Sequence, residues 1–173
     1  MTQMLTKLNI WSIISDHFQT LKKYKGKGYS KSDILAFYGL PILVASLLIF
    51  WFSVSDEVAN ALITSLSVFA GLLLNLLLLV FDTLRKEEAK EDKVRQQVLK
   101  ETYSNISYAI LISLLCIILL VGFAIWDGGF SGTWVTVLKI VASWIVYFLT
   151  INFLLTLLMI LKRVHILMSL EYD

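Results

Sequence analysis

Four long apolar runs dominate this chain, at 34–54, 58–81, 106–126 and 140–161, and none contains Lys, Arg, Asp or Glu. At about 1.5 Å per residue, a helix made from any of them is about 30 Å long, the thickness of a bilayer's hydrocarbon core. Four buried helices of one soluble core would need much longer polar faces than these runs offer. Composition agrees. Of 173 residues, 58% are hydrophobic and 16% charged, mean hydropathy is +0.78, and there are 8 Gly, one Pro and one Cys. Those values exclude a disordered chain, a disulfide scaffold and a collagen-like repeat. The expectation is an all-α polytopic membrane protein with four transmembrane helices.

Loop charge sets the expected orientation. Of 15 basic residues, only Lys139 lies outside the N-terminal 33 residues, the 82–105 connection and the Lys162–Arg163 step. By the positive-inside rule those segments are cytoplasmic, so both termini are expected on the cytoplasmic side. Lys139 can snorkel from the start of the fourth run. Trp51, Trp126 and Trp134 fall at the expected outer boundary, as an aromatic belt would. The first apolar run starts only at residue 34 and no cleavage site follows it, so it is expected to act as an uncleaved anchor. Cys116 lies mid-run and alone, which leaves no intrachain disulfide.

Outside the runs, residues 5–21 carry Leu8, Trp11, Ile14, Phe18 and Leu21 at helical spacing, with Asn9, Ser12, Asp16, Gln19 and Lys23 opposite. Two readings stay open. The helix lies on the inner leaflet through Trp11 and Phe18, with Lys22, Lys23, Lys25 and Lys27 drawn to anionic lipid, or it packs on the protein's own cytoplasmic segments. Residues 82–103 contain no Gly or Pro and are rich in good helix formers. Asp82 with Lys86, and Glu91 with Arg95, are i,i+4 pairs in the favourable order. The second run should therefore continue as helix, reverse between Ala89 and Lys93, and return as a helical hairpin. Its alternative is a solvated charged linker. Glu87, Glu88, Glu91, Asp92 and Arg95 are its candidate docking residues for a cytosolic partner. Residues 164–173 are expected to form a short tail, and no soluble domain is expected at either end.

Two intramembrane features stand out. Thr64, Ser67, Gly71 and Asn75 share one helical face, and Asn152 lies near the middle of the fourth run. Small and hydroxylated residues let helices approach closely in lipid, and an unpaired amide in hydrocarbon is costly. The face is a helix–helix contact, or the lining of a pore in a homo-oligomer. The runs contain no Asp, Glu or His, which ion-coupled transporters usually place within their spans, and Pro41 is a single tolerated kink, so a secondary transporter is not expected. Gly129, Ser131 and Gly132 spell a string similar to the nucleophile motif of rhomboid intramembrane proteases. The only histidines, His17 and His165, are expected on the opposite side, so it reads as a glycine-rich turn. No enzyme activity, cofactor, metal site or direct nucleic-acid contact is expected.

The basic amphipathic N-terminus, SDILAFYGLP entering the first run and SVFAGLLLNLLLLVFDTLRK leaving the second together resemble a class of small four-span bacterial inner-membrane proteins. Membrane components of phage-defence systems, of the Kiwa membrane-subunit type, are among them. The resemblance covers most of the chain in architecture and carries no residue roles. The lack of a catalytic set and the protruding helical hairpin lead to the expectation of an oligomeric membrane subunit that anchors or signals to a cytosolic partner, and the resemblance implies defence against phage as its setting. The alternatives are a holin-like pore-forming effector and an immunity protein against a pore-forming toxin.

Overall fold

The structure is a computed structural model that describes residues 10–20, 35–51, 54–87, 93–126 and 132–172. Every element among them is helical. Helix α1 is Ile10–Thr20. One wide π-helical turn, Leu35–Gly39, leads into α2, Leu40–Trp51. The three long helices are α3 (Asp56–Glu87), α4 (Lys93–Trp126) and α5 (Thr133–Tyr172). All three are long and apolar enough to cross a membrane. The segment expected as the first span forms a shorter apolar helix over Leu35–Trp51.

The breaks fall at local signals. Ser55 opens α3, accepting from the N–H of Ala59 at 2.8 Å through its carbonyl, with Asp56 and Glu57 favourably placed in the first turn. α3 runs past its apolar stretch to Glu87, about two turns beyond residue 81, as its helix formers predict. α4 starts at Lys93, and residues 88–92, around which the reversal is expected, lie outside the described residues. Gly132, at φ +152°, a value that strains any residue with a side chain, opens α5 by accepting from the N–H groups of Val135 and Thr136. α5 then runs unbroken for 40 residues, absorbing most of the expected tail.

Packing follows a seven-residue repeat. Ala59, Leu66, Leu73 and Val80 are buried along α3, Leu99, Ile106, Ser113 and Leu120 along α4, and Val146, Phe153 and Ile160 along α5. A helix that keeps one seam against its neighbour repeats at this period. α4 is central, packed against α1, α3 and α5, while α2 packs on the far side of α5. The backbones of α2 and α3 do not pack on each other, although only four residues separate them. The order across the molecule is therefore α2, α5, α4, α3, which leaves one flank of α3 bare.

Polarity is distributed inside out. Thr102, Asn105, Ser113, Ser143, Asn152 and Thr156 are buried, whereas Ile118 and Leu161 are each 66% exposed and Leu78 64%. Water would not tolerate so much exposed apolar surface. Lipid does, and small or hydrogen-bonding residues then form the helix contacts. The arrangement is that of a membrane protein.

Candidate functional site

The densest polar cluster lies where α1, the π turn, α4 and α5 meet, at the end of the molecule marked by Lys93 and Arg163. α1 brings His17, which sits three residues after Ile14 on the helix's inward face. The His17 side chain is wholly buried. Its Nδ1–H donates to Asn105 Oδ1 at 2.9 Å, and its ring stacks on Tyr108 with centroids 3.7 Å apart and planes 7° from parallel. Burial pushes the His17 imidazole down to about 4, and the Arg163 charge pushes the same way against the Asn105 hydrogen bond. The ring is therefore neutral at pH 7, with a bare, buried Nε2.

Thr20 ends α1 beside the same amide, its hydroxyl 3.0 Å from Asn105 Oδ1 and 2.7 Å from the His17 carbonyl. Arg163 on α5 closes the arrangement. It pairs with Glu101 on α4 and donates through Nη2 to the Thr20 carbonyl at 3.3 Å. Gln97 Nε2 donates to the other carboxylate oxygen of Glu101 at 3.0 Å. Deeper in, the Tyr108 hydroxyl donates to Asn152 Oδ1 at 3.3 Å, and Asn152 Nδ2 donates to the Phe37 carbonyl at 2.8 Å. A path of hydrogen bonds, bridged by the His17–Tyr108 ring stack, thus links α1 to the middle of α5.

The sequence-derived candidates divide. Asn152 is buried and fully engaged on this path. Thr64, Ser67, Gly71 and Asn75 share one face of α3, and all are exposed on its bare flank. The Thr64 hydroxyl turns back to the Asn60 carbonyl at 2.9 Å, and a side chain added at Gly71 would meet nothing within 4 Å. Among the described residues, only the backbone of α4 packs on α3, and this face stays exposed. Trp11 is 77% exposed, while Phe18 turns inward and stacks on Tyr38 with centroids 5.3 Å apart. α1 thus packs on the protein's own helices, the second of the two readings, and leaves Trp11 facing out. Glu87 is the last residue of α3, and Arg95 is half-buried in the first turn of α4. Glu88, Glu91, Asp92, Lys22, Lys23, Lys25 and Lys27 lie outside the described residues, as does Ser131 of the glycine-rich turn.

His17, Asn105, Tyr108, Glu101 and Arg163 were not among those candidates. One signal was available: His17 interrupts an apolar helical face, the position where a polar side chain needs a buried partner. The partner itself is 88 residues away and has no local signature. The chain matches no family model, no curated protein and no solved structure.

Proposed function

We propose that this protein is a four-span subunit of a bacterial inner membrane that assembles with copies of itself through α3 and presents its basic, cytoplasmic end to a soluble partner. The observation that carries this reading is the bare face Thr64, Ser67, Gly71 and Asn75. In lipid, an exposed Asn amide is unsatisfied, and the simplest partner for a group that both donates and accepts is the same amide on a second copy. Gly71 removes the side chain where two such helices would approach most closely. Leu35–Trp51, apolar but shorter than the other three, serves as the fourth crossing. Exposed Asp82, Arg85, Lys86, Lys93 and Lys100 charge the facing ends of α3 and α4, and a soluble protein docks there. Defence against phage is the setting suggested by the likeness to Kiwa-type membrane subunits.

A C-terminally tagged protein, extracted in mild detergent at native expression, should purify as a homo-oligomer with a stoichiometric soluble protein. Replacing Glu87, Glu88, Glu91 and Asp92 with Lys should abolish recovery of that protein and leave membrane insertion intact. A monomer that brings nothing with it overturns the proposal. The same α3 face supports a second reading, in which the oligomer closes around it as a polar pore. An oligomer without a partner that conducts in a planar bilayer, with conductance altered by Asn75→Leu, would favour that reading.

A further inference from the structure

A cleft of about 510 Å³ opens between the basic ends of α4 and α5. This falls within the ~300–1,000 Å³ range of small-ligand sites. Its two ends differ in chemistry. Leu155, Leu158 and Met159 line the inner part, and Leu158 is 62% exposed along the open side. Further along the helix, Lys162 and Arg163 form the rim, between about 4.5 and 12 Å from the residues of the apolar floor. Glu101 is the rim's carboxylate, and Arg163 and Gln97 already hold it. Lys162 is exposed, and among the described residues no partner holds its ammonium. One acid and two bases leave the rim a single net positive charge, the complement of one phosphodiester.

We propose that this cleft binds one anionic phospholipid, its phosphate at Lys162 and the rim, and an acyl chain along Leu155, Leu158 and Met159. The inference rests on the membrane-spanning reading and is independent of the soluble partner and of the oligomer. Depth selects the occupant. A soluble anion would use the rim alone and leave the apolar floor empty. A lipid fills both, because its headgroup and chain are joined at the spacing the cleft presents. Basic clefts between helices at the cytoplasmic boundary of a membrane are suited to this chemistry.

The full chain, released from dodecylmaltoside micelles in a native mass spectrometer, tests the assignment against phosphatidylglycerol, phosphatidylcholine and inorganic phosphate. One phosphatidylglycerol per chain should be retained in preference to phosphatidylcholine. Lys162→Gln should lower that occupancy roughly fivefold, the effect of one basic residue at a membrane surface. Leu158→Trp should lower it by crowding the floor without changing charge, with helix content by circular dichroism unchanged in both variants. Equal retention of the two lipids, unchanged occupancy in Lys162→Gln, or displacement of the lipid by inorganic phosphate alone would overturn the proposal. The same spectra report oligomer mass and any bound protein. A monomer that holds phosphatidylglycerol sinks the subunit reading and keeps the lipid site, and an oligomer indifferent to headgroup does the reverse.

Discussion

Asn152 satisfies the carbonyl of Phe37, a group that loses its regular helical donor because Pro41, four residues later, has no N–H. The two residues are 115 positions apart, and the bond fastens the wide turn before α2 to the middle of α5. Asn152→Leu keeps the volume and removes the bond, and it also strips the Tyr108 hydroxyl of its acceptor. The expected cost is about 1–2 kcal/mol, read as a lowered unfolding midpoint in detergent. An unchanged midpoint would mean that the turn does not depend on this amide.

Arg163 holds both Glu101 and the end of α1, so its loss should free α1 before it unfolds anything else. Arg163→Met should weaken docking by about 1–2 kcal/mol, less than the ~3–5 kcal/mol of a fully buried pair, since the Glu101 side chain is 30% exposed. Chymotrypsin cleavage at Trp11 and Phe18 should accelerate, while cleavage within α4 and α5 should not. Equal acceleration everywhere would show general unfolding instead.

Docking of α1 should also depend on pH. His17 titrates near 4 when docked and near 6.5 when released. Between those values the released helix binds a proton that the docked helix does not, so docking is complete above about pH 6.5 and weakens as pH falls. The loss approaches about 3 kcal/mol by pH 4. The charge facing the ring is Arg163 on α5, which opposes a second cation, Glu101 on α4 is engaged by Arg163, and Asp16 on α1 lies on the exposed side. Hydrogen exchange in 10–20, corrected for intrinsic rate, should rise from pH 7 to pH 5. The rise should vanish in His17→Gln, and a rise that persists there assigns the effect to another group.

Gly71 separates the chain's own stability from its association. Open space surrounds it, so Gly71→Leu should leave a single chain as stable or more stable, by up to ~0.8 kcal/mol of helix propensity. A second α3 could then no longer approach closely, and sedimentation in detergent should show smaller particles. Particles of unchanged size would place the association on another face.

The sequence made some of this legible and hid the rest for a physical reason. Helix ends were readable because turns and charges interrupt apolar runs, as at Ser55 and Gly132. Asn75 and Asn152 were readable as amides in hydrocarbon, yet nothing local says that one finds Phe37 and Tyr108 while the other faces outward. The seven-residue seam was hidden because both sides of each helix are apolar. Leu66 and Leu73 face α4, Leu72 and Leu78 face outward, and the four residues have the same chemistry. In water the outward pair would be polar and the repeat would show. The His17 cluster was hidden because its members come from four separate parts of the chain.

α5 has one more consequence. It contains neither Gly nor Pro across its 40 residues, and sharp kinks in helices almost always need one of these or a comparable interruption. A rod about 60 Å long with no joint behaves as a lever. Tilting it by about 5° around its midpoint moves each tip by about 2.6 Å in opposite directions. Arg163 rides on one arm, with Glu101 and the end of α1 in its grip, and Trp134 stands at the opposite tip. Arg163 lies about 16 Å from the midpoint, so the same tilt reaches the grip as a displacement of about 1.4 Å, roughly half the length of a hydrogen bond.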